Sequence, residues 1–155
     1  MEPGSNQYMI LPVAIVRAAA ALPAAPVWDT DPLVEVLVMG YGTGTFYVTY
    51  TQAAVGGAVD LQLQFSPYAE DQAGVEDWFT QSLYAPGAVA AGVETASAIQ
   101  TEYITYTSTA AGAETFVLDP IVLGGTVSRV RLRCRESGVP GTPGDCHIIG
   151  YFGGL

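Results

Sequence analysis

Four arginines recur at every second position in residues 129–135, which read Arg-Val-Arg-Leu-Arg-Cys-Arg. Two is the period at which strand side chains return to one face. Arg129, Arg131, Arg133 and Arg135 therefore form a cationic ladder, while Val130, Leu132 and Cys134 point the other way, into a core. The only other Lys or Arg is Arg17, against fifteen Asp and Glu and a net charge of -10. Four like charges on one strand repel each other and require counter-charge. Three arrangements can supply it. Cross-strand partners in the same subunit could do so, with Glu102, Tyr103 and Tyr106 as candidates. Acidic loops of an adjacent subunit could be held by bidentate guanidinium–carboxylate pairs. An anionic glycan or phosphate is the third. With so many carboxylates in the chain, protein partners are the economical solution.

The remaining reactive residue types are sparse. Cys134 and Cys146 flank the segment 137–144, Ser-Gly-Val-Pro-Gly-Thr-Pro-Gly. If residues 127–136 and 146–152 form a hairpin centred near Pro140, the two cysteines lie directly opposite, where a disulfide is possible. Two free core-facing thiols are the alternative, favoured in a reducing compartment. Two cysteines make no zinc site. His147 is the only histidine. As a strand neighbour of Cys146 it points to the opposite face, so it reads as structural rather than as half of a Cys–His nucleophile. Glu70, Asp71, Glu76 and Asp77 form one acidic cluster but lack the spacing of a calcium loop. A solvated loop, or a counterpart for arginines on a neighbouring subunit, is the expectation there. There is no GxGxxG, Walker, GxSxG or HExxH motif. No catalytic residue, cofactor or metal ligand is expected, and the chain is not expected to be an enzyme.

These residues need elements to hold them. Half of the 155 residues are hydrophobic and only 13% are charged, enough for one domain with a sizeable core. A surface built on Thr, Ser and Gln suits a protein packed in an assembly. The acidic balance argues against nucleic acid and against an anionic membrane as partners. Residues 8–26 are apolar, yet Glu2 rather than a basic residue precedes them, Arg17 interrupts them, and Pro12, Pro23 and Pro26 punctuate them. An N-terminal arm plus first strand (1–26) is expected, not a signal peptide or membrane helix.

Strand signals dominate the rest. Residues 33–39 are nearly continuously apolar and predict a central strand. In 45–52, Phe46, Val48 and Tyr50 share one side. In 58–66, Val59, Leu61, Leu63 and Phe65 face inward and Asp60, Gln62 and Gln64 outward. Segments 78–84, 100–109, 115–118, 127–136 and 146–152 complete about nine strands, separated by Gly-rich breaks. The only helix candidates are short, 70–78 and 88–98. Residues 45–51 (Thr-Phe-Tyr-Val-Thr-Tyr-Thr) echo 101–107 (Thr-Glu-Tyr-Ile-Thr-Tyr-Thr), which reads as reuse of a β-favourable pattern, with a duplicated hairpin as the alternative. The pattern predicts an all-β antiparallel sandwich over residues 27–155, jelly-roll-like, with the long irregular region 66–98 as a contact loop.

Several of these stretches together resemble a known group. They are Val-Thr-Tyr-Thr (48–51), Gly-Gly-Ala-Val-Asp-Leu-Gln-Leu-Gln-Phe-Ser-Pro (56–67), Trp78, Val-Arg-Leu-Arg (130–133), a Gly/Pro turn, and Ile-Ile-Gly-Tyr-Phe (148–152). The run resembles small β-sandwich structural proteins of tailed bacteriophages. The resemblance implies a virion component in an extracellular particle: a capsid decoration (cement) protein or another head or tail accessory protein. Its partners would be the major capsid protein or other virion proteins and further copies of itself, trimers included. The ladder arginines, Glu70, Asp71, Glu76, Asp77 and Trp78 are then the interface candidates. The alternative is a glycan-binding or adhesive module of a tail or filament, with Trp78 and Tyr84 as stacking platforms.

Overall fold

The period-two patterning dictates strands, and strands are what form. The computed structural model describes residues 13–30, 33–84, 89–90, 93–94 and 100–154. Among these there is no helix. The strands are β1 (Val13–Ala21), β2 (Val36–Leu37), β3 (Thr43–Thr51), β4 (Ala58–Ser66), β5 (Phe79–Thr80), β6 (Leu83–Tyr84), β7 (Val89–Ala90), β8 (Val93–Glu94), β9 (Gln100–Thr101), β10 (Ile104–Thr107), β11 (Ala113–Val117), β12 (Ile121–Val122), β13 (Arg129–Glu136) and β14 (Asp145–Gly153). They build two antiparallel five-stranded sheets. The first has the order β1-β14-β3-β11, with β12 also on β3; the second has β10-β4-β13-β2, with β5 also on β4. Small two-stranded pairs, β6·β9 and β7·β8, lie in the long loop region. Apart from the step from β4 to β10, each main strand is followed by one in the opposite sheet.

The two sheets bury one shared core. Phe46, Val48 and Tyr50 of β3 and Ile148 and Phe152 of β14 meet Val59, Leu61 and Leu63 of β4 and Val130 and Leu132 of β13. Each of these alternates with a residue on the outer face, so a one-residue slip would expose the whole set. The architecture is thus β-sandwich-like and all-β.

Some expectations are corrected. Residues 33–39 are no central strand: only Val36–Leu37 pairs, at the edge of the second sheet, and Val34, Leu37 and Met39 are exposed. β2 has a partner strand on one side alone, β13, so the apolar run ends the sheet instead of crossing its centre. No helix forms at 70–78, which is turn and irregular chain. Most of 88–98 lies outside the described residues. Residues 78–84 divide into two short strands rather than one. The echo segments are both strands but fall in opposite sheets, 45–51 within β3 and Ile104–Thr107 as β10, as reuse of a strand pattern allows.

The largest correction concerns the C-terminal pair. β13 pairs with β4 and β14 pairs with β3, so residues 137–144 are a crossing between sheets and not a hairpin turn. The cause is visible at Glu136. Inward alternation carries this carboxylate into the core, where it is fully buried. Five donors converge on it: Tyr50 Oη at 2.6 Å and the N–H groups of Ala58, Gly138, Val139 and Gly144 at 2.8–3.1 Å. The crossing loop is wrapped around a carboxylate. Gly138 lies so close to the Gly56 carbonyl and the Ala58 N–H that a Cβ would collide with backbone.

The N-terminal strand β1 runs along β14 at the edge of the first sheet, with register shifts around Arg17. Residues 22–29 then cross to the second sheet, where Ala25 N–H donates to the Glu136 carbonyl and Asp29 N–H to that of Cys134. Arg17 fastens this crossing. It donates to both Asp29 carboxylate oxygens at 2.9 and 3.1 Å and to the Cys146 carbonyl. Residues 1–12, the rest of the expected arm, lie outside the described residues.

Candidate functional site

The arginine ladder lies on the outer face of the second sheet, and Val130, Leu132 and Cys134 lie in the core, as the spacing requires. The register decides what each arginine meets. Arg129, Arg131, Arg133 and Arg135 stand opposite Ser66, Gln64, Gln62 and Asp60 of β4. All four of those partners are buried beneath the guanidinium layer although they lie on the outer face.

The ends of the ladder are neutralised by carboxylates. Arg129, itself buried, donates to Glu35 at 2.7 Å and to Asp71 at 2.9 Å, and also to the Tyr68 carbonyl at 2.7 Å. Arg135 pairs with Asp60 at 2.8 Å. Asp60 also accepts from Thr105 Oγ1 and Ser137 Oγ, so its lone pairs are well occupied. The middle rungs lean on amides: Arg131 Nε donates to Gln64 at 2.8 Å, and Arg133 to Gln62 at 3.4 Å.

Aromatic rings cover the charges. Trp78 spans Arg131 (4.2 Å to the ring centroid) and Arg129 (4.9 Å). Trp28, carried by the crossing segment, spans Arg135 (4.1 Å) and Arg133 (5.8 Å). Tyr103 approaches Arg135 at 5.0 Å and meets Trp28 edge-on. Each indole takes two neighbouring guanidiniums, and such contacts contribute ~0.5–2 kcal/mol apiece according to their desolvation.

Of the three arrangements open to the ladder, the geometry therefore supplies the first, partners within the same subunit. Tyr103 is among them. Tyr106 is not: it stacks on Phe116 at 3.6 Å instead. The acidic cluster divides. Asp71 reaches Arg129, Asp77 accepts from the Gln72 N–H, and Glu70 and Glu76 are exposed. Trp28, Glu35, Asp60, Gln62 and Gln64 join the site without having been singled out as partners. The alternation of 60, 62 and 64 carried a signal, but which strand they oppose is a pairing across some 70 residues of chain.

Cys134 and Cys146 are free and buried, one in each sheet. Burial, and then the neighbouring Cys146 thiol, push the Cys134 thiol well above its usual range. A thiol held protonated is a poor nucleophile. His147 lies on the outer face of the first sheet, opposite Thr49 and away from both thiols. Among the described residues no group of three or more His, Cys, Asp or Glu side chains is placed to hold a metal ion, and no helix is long and apolar enough to cross a membrane.

Two further features bear on chemistry. Burial would raise the carboxyl of Glu136, but hydrogen bonds from Tyr50 and the surrounding backbone outweigh it and hold the pKa below the ordinary value. A separate cavity of about 230 Å³ opens beside β10 and β11, lined by Tyr50, Tyr106, Ser108, Glu114 and Phe116 among others. The half-buried Glu114 carboxylate there accepts from Thr109 Oγ1 and N–H, which lowers its pKa.

No family model matches the chain, and no curated protein or solved structure does either.

Proposed function

We propose that the protein is a virion structural component, a capsid decoration protein of a tailed phage that strengthens the particle by multivalent protein–protein contacts. The observation carrying this reading is the strand order. Numbering the eight main strands along the chain gives 1-8-3-6 in one sheet and 2-7-4-5 in the other. That order supports reading the sandwich as a jelly roll, an architecture shared by viral capsid and lectin domains. The role is structural and non-catalytic. The contact elements are the segment ahead of β1, as an extended arm, and the loop 66–98. The partners are the major capsid protein and further copies of the chain, in an extracellular particle.

The ladder supports the structural reading over the glycan-binding one. Trp78 would be the stacking platform for a sugar, yet two guanidiniums already lie over its ring.

The test is binding of the purified protein to capsids that lack it. Saturable binding is expected, weakened when residues 1–12 are deleted. The deletion stops there because β1 pairs along β14 and buries Val16, so a cut to residue 26 would damage the sandwich itself. Absence of the protein from purified virions, with no binding to such capsids, overturns the assignment.

A further inference from the structure

The outer face of the first sheet is the reverse of the ladder face. A single row crosses four of the five strands: Ile15 of β1, Ile149 of β14, Tyr47 of β3 and Val117 of β11. Val13 and Tyr151 stand beside it, and Val122 of β12, 80% exposed, extends it. Ile15, Tyr47 and Val117 are exposed by 57%, 41% and 47%. Tyr47 and Tyr151 meet edge-on at 5.1 Å, which fixes both rings at the surface. Along the outward positions of β14 the one acidic and the one basic residue, Asp145 and His147, lie toward one end.

We propose that this face is the surface through which two copies of the chain associate. Charge selects the occupant. Each copy carries -10, so two copies repel over most of their surfaces, and this nearly uncharged face is where they can approach. It offers no arginine or lysine to an acidic partner and, Asp145 apart, no carboxylate along β14 to a basic one. The described arginines lie elsewhere: Arg17 on Asp29, and the other four on the second sheet. A copy of the same face matches it in polarity, with Thr45, Thr49 and Thr115 able to donate and accept among the apolar rows. Area agrees. Three nine-residue strands and the five residues of β11, at about 4.8 Å spacing and about 3.3 Å rise, give roughly 500 Å² before side-chain relief. Two such faces reach the ~1,000 Å² total expected of a specific contact. Contiguous exposed apolar side chains such as this row mark interaction sites. The inference adds to the virion reading the surface where copies meet, and it stands or falls separately, since it requires no capsid.

Sedimentation velocity of the purified full chain reads it directly. Mass should rise with concentration above the 16.2 kDa of one chain. The double variant Tyr47→Thr, Val117→Thr keeps β-favourable residues and should weaken association at least ~10-fold while leaving the thermal unfolding transition in place. Ile15→Glu, a single edge-strand change that adds a like charge at the contact, should do the same. A chain that stays monomeric at all concentrations overturns the proposal, even if it binds capsids. So does association that survives both variants. If only deletion of residues 1–12 abolishes association, the copies meet through that segment rather than through this face, and the proposal fails.

Discussion

The two outer faces of this sandwich solve the same problem in opposite ways. On the second sheet, a strand with four arginines would be costly if left open, and it has been closed from within. Carboxylates take the two ends, glutamines support the middle, and Trp28 and Trp78 lie over the charges. On the first sheet the residues are apolar or hydroxylated, and the row from Ile15 to Val117 is left open to solvent. A striking charge pattern in a sequence is thus no guide to where a protein is unsatisfied. Here the charged strand is the saturated one and the bland strands carry the exposed area.

The comparison depends first on the sheets staying back to back, which Glu136 secures. Glu136→Ala strands the buried Tyr50 hydroxyl and the buried N–H groups of Ala58 and Gly144, and frees those of Gly138 and Val139; it should cost about 3–5 kcal/mol in urea unfolding. The same carboxylate sets an acid limit. Its folded pKa is depressed, so its contribution is fully present above the unfolded value near 4.5 and is lost as pH falls through the lower folded value. Wild-type stability should therefore decline below about pH 4.5, and the decline should be shallower in Glu136→Gln.

The sealed face comes next. Arg129→Gln removes a buried cation from Glu35 and Asp71, and about 2–3 kcal/mol should be lost, discounted because Asp71 is largely solvated. Trp28→Ala uncovers Arg133 and Arg135 and should cost about 1–2 kcal/mol, read by thermal melting. Changes on the open face should behave differently. Tyr47→Thr should shift monomer stability by no more than about 0.5 kcal/mol, its effect appearing in association alone. Smallest of all, Glu70→Gln and Glu76→Gln should leave both stability and association unchanged within error. A large stability loss from Tyr47→Thr, or none from Arg129→Gln, would break the contrast between the faces.

Much of this was legible in the chain, and the reason is periodicity. Alternation in 58–66 and 129–135 placed the core residues and the ladder correctly, because side-chain direction on a strand is a local property. Partners are not local. Asp60, Gln62 and Gln64 meet the arginines only because β4 and β13 pair, and Trp28 arrives on a segment that crosses between sheets. Residues 33–39 misled because an apolar run looks the same at a sheet edge as at its centre. The hairpin expected around Pro140 misled because Gly and Pro mark a turn without saying which sheet follows. The one discordant residue was Glu136, a carboxylate at an inward position, and it sits where the chain changes sheets.

The central claim is that one face is closed and the other is a contact surface. Hydroxyl-radical footprinting of the full chain, read by mass spectrometry at low and high concentration, tests it most directly. Tyr47 and Tyr151 should lose reactivity as copies associate, while Trp28 and Trp78 keep theirs. Protection of Trp28 and Trp78 with Tyr47 and Tyr151 unchanged would contradict the account.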